Sequence, residues 1–227
     1  MKIRSQSAFT LIEMLVVISI IAVLAAFAVP ALTSALTKGQ MTGTLNNGRQ
    51  LYLAGQQMAL DGAANSDPNL TWPGDDLNAN LDLTGYASKL TQNDYLKIGD
   101  VAKLFSAPGA TCTATSDGNT PPGVVLGGTA GFKVYKVKDA DSSNTILLVT
   151  ANYTYDTVFG ANPPSPFGDK GFIVQRKGGD ASILRKNNAV VAAGQDAVFQ
   201  STVGKKPGDP DGGPVSPGDP AGFMHFP

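Results

Sequence analysis

The hydrophobic positions begin with one long apolar run, LIEMLVVISIIAVLAAFAV at residues 11–29, which contains a single charged residue, Glu13. A run of this length is sufficient for a helix to cross about 30 Å of hydrocarbon. The next stretch predicts one face of an amphipathic helix, because its apolar residues recur at mostly helical intervals. These residues are Leu32, Leu36, Leu45, Tyr52, Ala59 and Leu60. Together the two stretches predict one helix over residues 9–61, about 80 Å long at 1.5 Å per residue, that stops at Asp61-Gly62.

Several residues within this predicted helix weaken it. Pro30 removes a backbone hydrogen bond. Four glycines, Gly39, Gly43, Gly48 and Gly55, each cost about 1 kcal/mol relative to alanine. The composition therefore predicts a long helix with local softness.

The second half of the chain is predicted to form turns followed by strands. Residues 62–130 are rich in Asn, Asp, Gly, Pro and Thr, which predicts turns with short helices between them, at 85–90 and 92–105. Alternating patterns predict a β-hairpin and a third strand, at 132–138, 145–155 and 171–177. The segments ASILRKNNAVVAAG and QDAVFQSTV predict one or two further strands, with a tight turn at Asn187-Asn188. We therefore expect an α+β fold, in which the long N-terminal helix packs on a C-terminal antiparallel sheet of about four strands.

Composition argues against several classes of function. Seventeen basic and 18 acidic residues leave a net charge of −1, so we expect no nucleic-acid groove. The chain has one cysteine, Cys112, and cannot form an internal disulfide. Its one histidine, His225, lies near the terminus, which argues against a Ser-His-Asp triad or a histidine-based zinc site. We expect a protein that is not an enzyme and holds no cofactor or metal.

Other polar and aromatic groups in the body have ordinary interpretations. Calcium could bind the aspartates of the C-terminal tail (Asp209, Asp211 and Asp219) or the Asp75-Asp76 turn, but neither segment reproduces an EF-hand loop, and solvated turns are the simpler interpretation. The segment RKGGD at 176–180 predicts a hairpin rather than a phosphate loop. The aromatic residues Trp72, Tyr153, Tyr155 and Phe159 are predicted to lie in the core.

Glu13 is the only glutamate in the chain. A carboxylate at membrane depth costs about 2.5–3.5 kcal/mol on insertion scales. It needs a partner, and the apolar run offers no cation. The simplest source is a cation from another copy of the chain.

Three interpretations of the N-terminus remain possible. Lys2 and Arg4 precede the apolar run, and a positive leader orients the N-terminus toward the cytoplasm. A secretory signal peptide would be cut after Ala28, at the A-x-A site that ends the run, and Val29 would then be the first residue. A plain signal anchor explains the length but gives Glu13 no role. The third interpretation is a resemblance to a known family.

The segment SAFTLIEMLVVISIIAVLAAFAVPAL resembles the processing and assembly segment of type IV prepilins and type II secretion pseudopilins. The resemblance implies cleavage by a prepilin peptidase between Ala8 and Phe9, followed by N-methylation of Phe9. Ala8 departs from the family's glycine, so we expect slower or normal processing. Pro30 falls where the family carries a helix-kinking proline. The chemistry of such a cut gives Glu13 a partner, because the new amine of one subunit can donate to the carboxylate of a neighbour and so check their register.

The resemblance also implies an organisation and a function. We expect a leader at residues 1–8, a transmembrane and assembly helix at 9–31, its amphipathic continuation at 32–61, a pilin-like periplasmic domain at 62–204 and a flexible Gly/Pro/Asp-rich tail at 205–227. Within the tail, FMHF at 223–226 could dock on the sheet.

The expected role is that of a structural subunit of a type II secretion-like pseudopilus, anchored by one pass in the inner membrane. Its partners would be other pilin-like subunits, the prepilin peptidase and methyltransferase, the inner-membrane assembly machinery and the membrane itself. The alternatives are a type IV pilus subunit for adhesion or motility, or a secreted β-rich binding domain released after Ala28.

Overall fold

The structure of the protein is a computed structural model that describes residues 10–159 and 166–226. Its helices are α1 (Leu11–Asn65), α2 (Leu83–Gln92), α3 (Ile98–Phe105) and α4 (Asp196–Thr202). Its strands are β1 (Cys112–Ser116), β2 (Val124–Gly128), β3 (Phe132–Val134), β4 (Ile146–Thr150), β5 (Phe172–Arg176) and β6 (Ala181–Leu184). The chain divides into two units, one ending at Gly39 and the other beginning at Gln40.

The first unit is the N-terminal part of α1, in which the apolar side chains are exposed. The helix continues through Pro30. The Thr33 hydroxyl donates to the Pro30 carbonyl at 2.9 Å, and the Thr37 hydroxyl donates to the Thr33 carbonyl at 3.0 Å. This helix is the one element among the described residues that is long and apolar enough to cross a membrane, and its best 18-residue window has a mean hydropathy of 2.8.

The second unit, from Gln40, contains the core. One stripe of α1 is buried there, running from Met41 through Leu51 and Met58 to Gly62. It packs with α2, α3 and one face of a four-stranded sheet, and the cluster includes Leu83, Leu90, Phe105, Phe132 and Leu148. A second cluster, which includes Tyr135, Tyr153, Tyr155, Phe172 and Phe199, fills the other face.

The sheet confirms the predicted fold class, a long N-terminal helix followed by antiparallel strands. Its order is β3-β4-β5-β6, and every neighbouring pair is antiparallel. The predicted hairpin is the β3–β4 pair, with Phe132 opposite Thr150. RKGGD is the turn of the β5–β6 hairpin, in which Gln175 lies opposite Ala181. This architecture is consistent with the pilin-like fold that the resemblance implies.

Three local features differ from the sequence expectations. The segment QDAVFQSTV is not a strand but contains α4, because Phe199 and Val203, four residues apart, are both buried on one side of that helix. The turn at Asn187-Asn188 is a short 3-10 helix, Lys186–Asn188. Residues 62–130 hold a second, two-stranded sheet, β1–β2, which was not predicted.

The end of α1 also differs from the prediction, since the helix runs through Gly62 to Asn65 and then turns at Ser66, which has a φ of 55°. Gly62 is required for packing rather than for termination. A Cβ at Gly62 would lie 1.7 Å from the Leu70 carbonyl oxygen. Only a residue without a side chain allows the loop after α1 to fold back this closely.

The α1 glycines fall into two groups. A Cβ at Gly48 would lie 3.4 Å from the Phe132 ring, and one at Gly55 would lie 2.4 Å from the Tyr86 hydroxyl. With Gly62 they recur every seven residues, where segments of the second unit approach the helix closely. At Gly39 and Gly43 a Cβ would meet nothing within 4 Å. Gly39 and Gly43 are therefore the two glycines of α1 that tertiary packing does not require.

Between residues 205 and 226 the C-terminal segment contains no helix or long strand, and it lies against the sheet. Lys205 forms a parallel bridge with Thr145, and Met224 forms an antiparallel bridge with Val134. Each of the two backbone hydrogen bonds between Met224 and Val134 measures 2.8 Å. The sequence alone did not decide whether FMHF docks on the sheet. In the structure it does, because Met224 covers the outer edge of β3.

The buried tyrosines predict that the fold loses stability in alkali. Burial is the main cause of a raised pKa at all six, which are Tyr52, Tyr86, Tyr95, Tyr135, Tyr153 and Tyr155. A raised folded pKa contributes stability below the unfolded value, near 10 for tyrosine, and that contribution is lost as the pH rises toward the folded value. For each fully buried phenol we expect the free energy of unfolding to fall by about 1.4 kcal/mol per pH unit above about pH 10. Urea unfolding at several alkaline pH values measures this, and a flat profile to about pH 11 would contradict it.

Candidate functional site

The start of α1 is built around Thr10 and Glu13. Thr10 precedes the first helical residue, Leu11, and Glu13 is the third residue of the helix. The Thr10 backbone N–H and hydroxyl both donate to Glu13 Oε2, at 2.8 and 2.7 Å, and the Glu13 N–H donates to Thr10 Oγ1 at 3.3 Å. This reciprocal arrangement is a capping box, which satisfies donors that a helix N-terminus leaves free.

The capping box keeps the Glu13 carboxylate at the helix end without neutralising it. No basic residue occurs between residues 11 and 37, and Glu13 forms no ion pair within the part of the chain that the structure describes. Its neighbours Ile12, Val16 and Val17 are apolar and exposed. An ionised carboxylate in such an apolar environment needs a cationic partner from elsewhere.

The predicted cleavage and methylation positions, Ala8 and Phe9, lie outside the described residues. Pro30 lies inside α1, where the kink was predicted. Of the four residues predicted for processing and assembly, the structure therefore places Glu13 and Pro30. Sequence reasoning missed Thr10, although a threonine three residues before a glutamate and an apolar run is the signal of a capping box.

Three of the five aspartates considered for calcium form ion pairs with lysines. Asp219 pairs with Lys133 at 2.6 Å, and Asp211 pairs with Lys205 at 2.9 Å. Asp76 pairs with Lys89. Among the described residues, no group of three or more His, Cys, Asp or Glu side chains is placed to hold a metal ion.

The contacts of Lys133 hold the C-terminal segment in place. Lys133 is a charged residue of β3, yet it is buried, and its ammonium faces Asp219 of the C-terminal segment. Its ammonium also donates to the Tyr153 carbonyl at 2.8 Å, while the Tyr135 hydroxyl donates to the other Asp219 oxygen at 2.5 Å. Burial and the nearby Asp219 carboxylate raise the pKa of Tyr135 well above its usual value. The tail is therefore fixed by a nearly dry ion pair.

Replacing Lys133 by methionine is expected to destabilise the domain by about 3 kcal/mol, because it leaves a buried carboxylate without a cation. The two side chains are only 11% and 7% exposed. The variant Lys133→Met/Asp219→Leu removes both charges and should recover most of the loss. Lys205→Met is the matched control, since its partner Asp211 is 70% exposed and the loss should stay below about 1 kcal/mol. Denaturant unfolding of the full chain in detergent measures all three, and equal effects at Lys133 and Lys205 would contradict the argument.

The remaining predicted groups are structural. Trp72, Tyr153 and Tyr155 are buried and Phe159 is partly buried, which confirms their place in the core. Cys112 is buried, and burial raises the pKa of its thiol, so it lacks the features of a reactive cysteine.

Comparison with known proteins bears on the same N-terminal segment. No solved structure matches the chain. Residues 3–29 match the family described as the prokaryotic N-terminal methylation motif, which spans Ala8, Phe9 and Glu13 and ends just before Pro30. The chain thus carries a type IV pilin-like prepilin segment at its N-terminus, and this motif indicates a processed, pilin-like structural subunit with a membrane-anchoring helix.

Proposed function

We propose that this protein is a structural subunit of a type II secretion-like pseudopilus. A prepilin peptidase cuts it between Ala8 and Phe9, a methyltransferase modifies the Phe9 amine, and the subunit polymerises through α1. Before assembly it is a single-pass inner-membrane protein with its C-terminal domain in the periplasm. The protein itself catalyses no reaction.

The observation that carries this proposal is the Glu13 carboxylate on an exposed apolar helix, which forms no ion pair within residues 10–159 and 166–226. In the capping box, Thr10 donates two hydrogen bonds to Glu13 Oε2 but supplies no positive charge. Cleavage before Phe9 would create an amine one residue before Thr10, at the same helix end. The amine of one subunit and the Glu13 carboxylate of its neighbour would form a charge-assisted hydrogen bond in a low-dielectric environment.

The preference for a secretion pseudopilus over a surface pilus depends on the C-terminal segment. The chain has one cysteine and so no disulfide to close a C-terminal loop. The Lys133–Asp219 pair and the Met224 bridge hold that segment instead. Deleting the protein should stop export of a secreted substrate while surface fibres remain, and loss of surface fibres with normal export would favour the pilus alternative.

Mass spectrometry of the protein purified from its own membranes tests the processing step. We expect a first residue of Phe9 carrying one added methyl group. An Ala8→Gly variant is the control, because it restores the family's residue and should be cut at the same bond at least as fast. A first residue of Val29 would show signal-peptide cleavage and would end the proposal.

A further inference from the structure

A cavity of about 510 Å³ lies beside the last turns of α1 and the loop that follows it. Its floor is apolar and includes Ala59, Leu60, Leu70 and Trp72, while its rim carries Asp67, Asp75, Asp139 and Lys177. Leu60 is 62% exposed there. We call this feature the acidic groove.

The charge of the acidic groove is negative. Three carboxylates and one ammonium give a net charge of −2 at its rim. The ammonium of Lys177 lies 4.0 Å from the carboxylate of Asp139, which is 88% exposed. It also donates to the Asp141 carbonyl at 2.9 Å and lies 5.8 Å above the Trp72 ring, so it neutralises no more than one of the three carboxylates. A complementary surface would present an apolar side chain next to a cation.

The chain itself presents such a surface at the β6 edge of the sheet. Strand β6 is the last strand, and its Ile183 is 40% exposed. Arg185 and Lys186 follow immediately and are exposed. Arg185 forms no ion pair within the described ranges, whereas Lys186 pairs with Asp169 at 3.5 Å. Ile183, Arg185 and Lys186 form the basic edge.

The two surfaces lie at different heights along α1. A Cβ at Gly171 would lie 3.3 Å from Met41 Cε and 2.5 Å from the Leu184 carbonyl oxygen, so the end of β6 is level with Met41. The acidic groove lies level with Gln56 to Ala63. Fifteen to 22 residues of helix separate these levels, or about 22–33 Å. The basic edge therefore cannot reach the acidic groove of the same copy. The basic edge of a second copy, shifted along the helix axis, could reach that groove.

We propose that the basic edge of one copy docks in the acidic groove of a second copy displaced along α1. This contact joins two different surfaces, and contacts of that kind generate an open helical filament when successive copies do not close into a ring. The displacement along α1 prevents such closure. Ile183 would cover Leu60, and Arg185 would face the carboxylates of the rim. The inference rests on the proposed function, because it supplies the contact between globular domains in a filament whose core is formed by α1.

Disulfide cross-linking in the full-length chain tests the contact. In a Cys112→Ser background, Leu60→Cys and Ile183→Cys should give dimers and higher ladders under mild oxidation of intact cells. The control pairs Leu53→Cys with Ile183→Cys, since Leu53 is 59% exposed on the same helix but does not line the groove. Equal cross-linking of the two pairs, or none at Leu60, would overturn the proposal.

A charge exchange adds a second measurement. Asp139→Arg and Arg185→Asp alone should each lower the cross-linked fraction about threefold, as expected for one exposed ion pair, and the double variant should restore it. No change in either single variant would also contradict the contact. This outcome is separable from that of the proposed function. If filaments still require Glu13 but are unaffected by these substitutions, only the contact between the basic edge and the acidic groove is refuted. If filaments do not require Glu13, the proposed function itself is refuted.

Discussion

Replacing Glu13 by glutamine is expected to abolish filament assembly while leaving membrane insertion intact. Glutamine keeps the length of the side chain and can still accept from Thr10, so the helix cap survives. The neighbour's amine would lose its anionic partner, and an unpaired buried charge costs about 3–5 kcal/mol. We expect the subunit's affinity for the growing filament to fall by roughly 100-fold or more. The yield of filaments sheared from cells, relative to total subunit, measures this.

Two controls isolate the role of the charge. Glu13→Asp retains the carboxylate on a side chain shorter by one methylene, and should assemble better than the glutamine variant. Thr10→Val removes the hydroxyl of the cap but leaves the charge, and should lower the yield much less than Glu13→Gln. Because Glu13 lies close to the scissile bond, the N-terminal mass of every variant must be checked. A correctly processed Glu13→Gln subunit that polymerises normally would refute the pairing.

Replacing Gly62 by alanine is expected to destabilise the second unit by about 4 kcal/mol or more, an unusually large loss for one added methyl group. The methyl carbon would lie 1.7 Å from the Leu70 carbonyl oxygen, and backbone cannot move aside as a flexible side chain can. The loop that carries Trp72 would have to shift. Urea unfolding followed by the fluorescence of Trp72, the only tryptophan, reports on this region directly.

Gly43→Ala is the matched control for Gly62→Ala. It makes the same substitution in the same helix, at a position with no atom within 4 Å of the added carbon. There the higher helix propensity of alanine should leave stability unchanged or raise it by up to about 1 kcal/mol. Similar losses at both positions would show that propensity, and not close packing, explains the Gly62 effect.

The sequence was informative where patterns are local. The apolar run, the amphipathic continuation and the alternating strands predicted α1, the β3–β4 hairpin and the β5–β6 hairpin, because each depends on a short-range period. QDAVFQSTV was ambiguous at this level, since Phe199 and Val203 also fit a short strand. Its conformation depends on tertiary burial, which a single sequence does not contain.

A single sequence did not show which distant residues pair with each other. Lys133 and Asp219 are separated by 86 residues, and no local signal connects them. The glycines show the same limitation, because propensity treats Gly43 and Gly62 alike, while the structure leaves one in open space and places the other against a backbone carbonyl. Part of the candidate site was predicted, since Glu13 stood out by its charge. Thr10 was missed, although its spacing from Glu13 is the signal of a capping box.

The docking of Met224 on β3 bears on how the protein can be labelled. An affinity tag or fluorescent protein fused after residue 227 would begin next to the segment that covers this strand edge, and its movement would pull on the Met224 bridge. The exposed turn between β1 and β2 is a better insertion point, because Gly118 there has nothing within 4 Å of a Cβ position. Imaging of live cells should therefore use an internal fusion at that turn.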